Sequence, residues 1–230
     1  MLVVYLADLS IVPEIVKRVL SFSPESFESY DDHTFSLAVR FMPQMLMRMG
    51  PLKMAALGIA FLPDVWAVMT GGVPKLILMA EFAEATAEEA LEKVRAARQS
   101  LEGLNCTTHI ARDEAHAAKY WTVRRESFAL LRKHIHGRYA APFIDDLVVH
   151  PRDYPTFLPE LEELIRGHTF IYTVAGHMGD GNFHIIPLVA MDKPEARAEI
   201  FELMPKVYAL VAKYKGSITG EHNDGIIRTP

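Results

Sequence analysis

Residues 169–188, TFIYTVAGHMGDGNFHIIPL, contain two apolar runs on either side of a glycine-rich turn. The runs Thr169–Val174 and Phe183–Leu188 predict two strands, and the loop 176–182 is short enough to join them as an antiparallel hairpin. Such a hairpin brings His177 and His184 to the same end of a sheet. The stretch therefore predicts an antiparallel sheet that carries two neighbouring imidazoles.

Strand-like and helix-like segments alternate along the rest of the chain. Short apolar runs predict further strands at Leu2–Leu6, Lys75–Phe82, Asn105–Ile110 and Ile144–Val149. Apolar residues at helical spacing predict helices at 11–20, 86–103, 113–132, 153–167 and 192–215. This alternation favours an α+β fold with helices on one face of a largely antiparallel sheet, and the ferredoxin-like arrangement is the natural candidate.

The composition is that of a globular chain. Half of the 230 residues are hydrophobic, and 24 Lys and Arg against 29 Asp and Glu give a net charge of −5. This length fits one large domain or two small ones. An acidic balance without a long run of Lys or Arg argues against nucleic-acid binding.

Three sequence features that depend on the cellular compartment indicate the cytoplasm. Cys106 is the only cysteine, so the chain cannot form an internal disulfide. No apolar run approaches the roughly 18–20 residues that a membrane-spanning helix needs. The N-terminus, MLVVYLADLS, lacks the basic region of a signal peptide. We therefore expect a cytoplasmic protein.

Residues 41–80 differ from the rest, because they hold seven of the eleven methionines and only four charged residues. A helical insertion is predicted there, since one helical face would carry Phe41, Met42, Met45, Leu46 and Met49. Methionine-rich faces adapt to irregular partners, so the insertion could serve as a lid, a partner surface or a peripheral membrane contact. Packing against the protein's own core is the interpretation that we favour.

A second polar cluster, GEHNDG at 220–225, offers the Glu221 carboxylate beside a third imidazole, His222. Two histidines and one carboxylate can bind Zn²⁺, Mn²⁺ or Fe²⁺ and leave positions open for water or substrate. A glycine-rich turn can also bind phosphate, but no Lys followed by Ser or Thr completes a P-loop here. The two clusters together predict a metal site.

Four segments of the chain carry a family resemblance. They are HMGDGNFH at 177–184, GEHNDGIIR at 220–228, WTVR at 121–124 and IDDLVV at 144–149. These segments resemble motifs of the C-terminal, substrate-side domain of FAD-linked oxidases. That family includes D-lactate dehydrogenases, the glycolate oxidase flavoprotein subunit and D-2-hydroxyglutarate dehydrogenases, in the vanillyl-alcohol oxidase flavoprotein superfamily. The resemblance covers essentially the whole chain, and its motifs are specific for the family but not for the substrate.

The resemblance implies a role for each motif residue in the oxidation of a 2-hydroxy acid. The divalent metal, Zn, Mn or Fe, is expected on His177, His184 and Glu221. His222 is the expected general base, which accepts the proton of the 2-hydroxyl while hydride leaves C2 for the flavin. Arg124 is expected to bind the substrate carboxylate. Arg228 is expected near the substrate, and Asn182 is expected to orient a metal ligand or to approach the flavin.

The resemblance also implies partners outside the chain. FAD is held mainly by an N-terminal domain that this sequence does not contain, so we expect residues 1–230 to be a fragment that is inactive without that domain. The GEHNDG variant is typical of longer relatives fused to iron–sulfur modules, which makes an iron–sulfur centre a candidate electron acceptor. A non-catalytic ferredoxin-like module for ligand binding or regulation is the alternative, and a metal-dependent hydrolase is a third hypothesis.

Overall fold

The structure is a computed structural model, which describes residues 1–32, 34, 74–111, 113–134, 137–168, 170–223 and 225. The strands are β1 (Leu2–Leu6), β2 (Ser26–Asp31), β3 (Leu76–Glu81), β4 (Thr107–Ile110), β5 (Tyr139–Ala140), β6 (Asp146–Val148), β7 (Ile171–His177) and β8 (Asn182–Val189). The α-helices are α1 (Val12–Leu20), α2 (Ala87–Ser100), α3 (Glu114–His134), α4 (Tyr154–Arg166) and α5 (Pro194–Lys213). Short 3₁₀ helices precede α1 and α4 at Leu9–Ile11 and Pro151–Asp153.

The described strands form one sheet in the order β4-β1-β3-β2-β7-β8-β5, and β6 also pairs with β8. Every strand pairing in it is antiparallel. Strands β1 to β4, with α1 after β1 and α2 after β3, have the strand order and connections of the ferredoxin-like arrangement. The β7–β8 hairpin extends this unit at the free edge of β2.

Local sequence explains where the helices begin. Thr86 and Glu89 form a complete capping box at the start of α2, with the Thr86 side chain accepting from the Glu89 N–H. At the start of α3, the Asp113 carboxylate accepts from the N–H of His116 at 2.7 Å. Both caps satisfy backbone donors that a helix start leaves without partners.

The two faces of the sheet have different neighbours. One face buries the main core against α1, α2, α4 and α5, with members such as Leu78, Val16, Phe157, Phe183 and Val207. The other face of β1 to β3 packs on α3 in a smaller cluster of Val3, Tyr30, Ile77, Met79, Tyr120 and Val123. Helix α3 therefore lies on the opposite side of the sheet from the other described helices, so the expectation that the helices pack on one face is wrong for α3. The same face of β7 and β8 lies next to this helix.

The expected α+β fold with a largely antiparallel sheet is confirmed. Strand β2 and the short β5 were not predicted from the sequence. Most of the predicted insertion at 41–80 lies outside the described residues, and within it residues 76–80 belong to β3. Among the described helices, none has the length and apolar character needed to cross a bilayer.

Candidate functional site

The sheet register places three polar residues on the face that α3 covers. In antiparallel pairs, opposite residues share a face, as do alternate residues along one strand. Met79 lies opposite Glu28, and Glu28 lies opposite His177. His184 lies opposite Ala175, which is two residues before His177. Glu28, His177 and His184 therefore point to one side of the sheet, next to α3.

The turn between β7 and β8 fixes the spacing of the two histidines. It occupies residues 178–181, because His177 ends β7 and Asn182 begins β8. Gly181 has a φ of 77°, which favours glycine, and a Cβ there would meet the carbonyl oxygen of Val149. The predicted hairpin is therefore present, with a shorter turn than the predicted loop 176–182.

Glu221 brings a carboxylate to both imidazoles. Its Oε1 atom lies 3.1 Å from Nε2 of His177 and 3.1 Å from Nε2 of His184. The two rings are perpendicular, with centroids 5.4 Å apart. One ligand atom from each of these three residues lies within 4.8 Å of the others. We call His177, His184 and Glu221 the ligand cluster.

A buried carboxylate stands behind the ligand cluster and connects it to His222. Oδ2 of Asp145 lies 3.5 Å from Nδ1 of His222, and its Oδ1 lies 3.6 Å from Nδ1 of His184. The rings of His184 and His222 are stacked, with centroids 4.7 Å apart and planes 10° from parallel. The side chain of Asp145 is 5% exposed, whereas that of His222 is 35% exposed. His222 therefore presents an accessible imidazole at the edge of the cluster.

Asp146 holds the segment that carries Glu221 and His222. Its Oδ2 atom accepts the backbone N–H groups of Gly220, Glu221 and His222 at 2.6, 2.9 and 2.9 Å. Its Oδ1 atom accepts from the side-chain amide of Asn182 at 2.9 Å. Burial disfavours the charged carboxylate, but these four hydrogen bonds outweigh burial and hold the pKa of Asp146 below its ordinary value. The charged form of Asp146 thus fixes residues 220–222, which we call the Glu221 turn.

Glu28 is the functional candidate that sequence reasoning missed. It lies on β2, and Oε1 of its carboxylate lies 2.7 Å from Nδ1 of His177. The other oxygen, Oε2, forms an ion pair with Nη2 of Arg124 on α3 at 2.5 Å. A charged residue inside a strand that also carries Phe27 and Tyr30 was the available signal, since buried charges in sheets are normally paired.

The remaining predicted residues have different positions. Arg124 is connected to the ligand cluster through Glu28, which pairs with Arg124 and also contacts His177. Asn182 is 6% exposed and bonds Asp146, and its Oδ1 atom is buried without a hydrogen-bond partner in the described part of the chain. Arg228 lies outside the described residues.

The donor set suits a divalent transition-metal ion. Two imidazoles and one carboxylate are typical ligands of Zn²⁺, Mn²⁺ and Fe²⁺ in sites with open positions. His177 has a carboxylate on its second ring nitrogen, which is the usual companion of a metal-bound histidine. The convergence of His177, His184 and Glu221 on one point therefore fits a metal ion.

Comparisons with known proteins agree on a family. The model described as "FAD linked oxidases, C-terminal domain" matches residues 3–230. D-2-hydroxyglutarate dehydrogenase of Escherichia coli (strain K12) is 28% identical over 116 residues, which is 50% of this chain and 11% of that protein. Glycolate oxidase subunit GlcD of the same organism is 29% identical over 117 residues, which is 50% of this chain and 22% of that protein.

A solved structure shares the fold. The 4-ethylphenol oxidase from Gulosibacter chungangensis, in its isoeugenol complex, aligns with a TM-score of 0.59 at 14% identity, over 94% of this chain and 44% of that one. The chain thus spans less than half the length of this structure, and its matches cover less than a quarter of the two E. coli relatives. The family model and the solved structure match nearly all of this chain, whereas the two E. coli relatives match half of it.

Proposed function

Because this chain belongs to the C-terminal domain family of FAD-linked oxidases, we propose that it binds substrate and metal for an FAD-dependent 2-hydroxy acid dehydrogenase. The substrate would be of the D-lactate, glycolate or D-2-hydroxyglutarate type. Relatives named D-2-hydroxyglutarate dehydrogenase and glycolate oxidase subunit support this substrate class. FAD, held mainly by a domain outside this chain, would supply the acceptor for the hydride that leaves C2.

The position of Glu221 between two imidazoles is the observation that carries the proposal. A single oxygen atom lies 3.1 Å from Nε2 of both His177 and His184, and the three ligand atoms occupy a region small enough for one ion. The metal, when bound, would polarise the 2-hydroxyl of the substrate and lower its pKa. His177, His184 and Glu221 would hold it.

His222 is the proposed acceptor of the hydroxyl proton. Its ring stacks on His184 and its Nε2 atom lies 3.4 Å from Oε1 of Glu221, so the imidazole lies next to the ligand cluster that the substrate hydroxyl would approach. Its Nδ1 atom faces the buried Asp145 carboxylate at 3.5 Å, which would stabilise the imidazolium formed by proton transfer. Loss of this proton together with hydride from C2 converts the 2-hydroxy acid into a 2-oxo acid.

Arg124 is the proposed partner of the substrate carboxylate. Its side chain is 17% exposed, and Nη2 is directed to Glu28, which also contacts His177. A guanidinium carries five N–H donors, so one side can be held by Glu28 while another faces a carboxylate. Arg228 is proposed to lie near the substrate or the flavin, and Asn182 is proposed to orient a metal ligand or to approach the flavin.

An iron–sulfur electron acceptor is a further part of the proposal. Matches of nearly equal length cover 11% of the D-2-hydroxyglutarate dehydrogenase but 22% of GlcD, so the former is about twice as long. That extra length agrees with the expectation, drawn from the GEHNDG variant, of relatives with additional redox modules. Reduction of an added iron–sulfur acceptor by the substrate-reduced enzyme would test it.

Metal analysis of the complete flavoprotein that contains this chain tests the central proposal. We expect one equivalent of Zn, Mn or Fe in the parent protein, and loss of metal and turnover with retained flavin in His177→Ala and Glu221→Ala. His150→Ala is the matched control, because His150 is exposed and caps the 3₁₀ helix before α4. Unchanged turnover in both ligand variants would refute the metal assignment.

A further inference from the structure

Glu28 connects the ligand cluster to Arg124 through a single carboxylate. Oε1 lies 2.7 Å from Nδ1 of His177, and Oε2 lies 2.5 Å from Nη2 of Arg124. The Glu28 side chain is only 8% exposed. One oxygen therefore serves the cluster and the other serves the arginine, with little contact to water.

Burial requires that both oxygens keep these partners. A carboxylate removed from water is costly unless opposite charge and hydrogen bonds compensate it. The Arg124 guanidinium supplies the opposite charge. The remaining oxygen then favours an N–H on Nδ1 of His177, which leaves Nε2 for the side where Glu221 and His184 lie.

We propose that Glu28 is a positioning residue that couples the geometry of the metal centre to that of the substrate-binding arginine. The proposal rests on the function proposed above. In a 2-hydroxy acid, the carboxylate carbon is bonded directly to the carbon that carries the hydroxyl. The group that binds the carboxylate must therefore be held at a fixed, short separation from the group that binds the hydroxyl. Glu28 supplies this separation, because its rigid carboxylate contacts both His177 and Arg124.

The substitution Glu28→Gln removes the ability of this side chain to accept from His177 and Arg124 at the same time. Glutamine has almost the same shape, but it offers one acceptor oxygen and one donor nitrogen. It can accept from His177 or from Arg124, and its donor nitrogen then faces another donor. Glu28→Asp is the conservative second variant, since it keeps the charge and both oxygens on a shorter side chain.

Two measurements on the complete flavoprotein test the coupling. The first is metal affinity, by titration of the metal-free protein with Zn²⁺ or Mn²⁺ against a competing chelator. The second is KM and kcat for the 2-hydroxy acid substrate at saturating metal. In Glu28→Gln we expect metal affinity to fall about tenfold, the lower end for loss of a partner behind a metal-bound histidine. We also expect KM to rise about as much, with a smaller change in kcat, and Glu28→Asp to recover part of both losses.

Glu25→Gln is the matched control, because Glu25 is exposed and lies just before β2. It should behave as the parent in both measurements. A Glu28→Gln variant that folds and matches the parent in both would overturn the inference, and so would one that loses metal affinity with an unchanged KM. Absence of metal binding in the parent would instead overturn the proposed function and this inference with it.

Discussion

Replacement of Asp146 by alanine is expected to release the Glu221 turn and thereby weaken metal binding. The Asp146 carboxylate is 1% exposed and receives three backbone N–H groups of that turn on one oxygen. Residues 220–222 are themselves exposed, so water can replace these bonds once the carboxylate is gone. The turn should therefore detach locally while the sheet beneath it stays folded.

The size of the effect follows from the bonds that are lost. A hydrogen bond to a charged group contributes about 1.5 kcal/mol or more net, so the three backbone bonds favour the docked turn by about 4.5 kcal/mol, or roughly 1,000-fold. Metal binding would need the docked turn because Glu221 is one of the three proposed ligands. Apparent affinity falls in proportion to the fraction of molecules in the binding state, so we expect a loss of up to about 1,000-fold.

The assay is competitive chelator titration of the purified flavoprotein, with folding followed by circular dichroism in urea. Asp146→Asn keeps an acceptor for the turn and loses the charge, which about halves the strength of each bond and predicts a loss of roughly 30-fold. Asp192→Ala is the control, because Asp192 is exposed in the loop between β8 and α5. A folded Asp146→Ala protein with the metal affinity of the parent would refute this reasoning.

Two further predictions concern the stability of the scaffold. Gly181→Ala should lower the free energy of unfolding by at least about 1–2 kcal/mol, which is the cost of the positive φ alone. Contact between the new Cβ and the Val149 carbonyl adds to this loss. Urea denaturation measures the loss, and a stability equal to that of the parent would contradict the prediction. Side-chain hydrogen bonds from Lys213 and Tyr214 lower the pKa of Glu160 on the surface between α4 and α5. A carboxylate whose pKa is lower in the folded protein than in the unfolded chain stabilises the fold at pH values above the unfolded pKa. This stabilisation is lost as the pH falls through the folded pKa. Glu160→Gln should therefore lower Tm at pH 7 and have less effect at pH 3, and an equal effect at both pH values would exclude this linkage.

The hairpin was predictable because its information is local. Apolar runs, a glycine-rich turn and two histidines stand within a short stretch, and the antiparallel register follows from the turn. The structure places His177 and His184 on one face through the pairing of Ala175 with His184. The cluster at 220–225 was also visible as a motif. Its approach to the histidines was expected only from the residue types and the family resemblance, because no local pattern shows the hydrogen bonds that its backbone N–H groups donate to Asp146.

Strand β2 was not predictable, because the partners of its buried polar side chains lie far away in the sequence. The sequence SFESYD has the polar character of a loop, yet Glu28, Ser29 and Asp31 are buried between β3 and β7. Glu28 finds its partners 96 and 149 residues later in Arg124 and His177. Single-sequence patterns describe near neighbours, and they cannot show that a charge will be compensated across the sheet.

The proposed site has a part that stands on paired strands and a part that is held by few hydrogen bonds. His177, His184 and Glu28 stand on paired strands at the centre of the sheet, where side-chain positions are fixed by the ladder. Glu221 and His222 stand on an exposed segment held mainly through Asp146. The proposed third ligand and the proposed base therefore move together, and detachment of the turn would remove both from the histidines at once. Metal binding would select the docked turn, and it would thereby bring His222 to the position proposed for acceptance of the substrate proton.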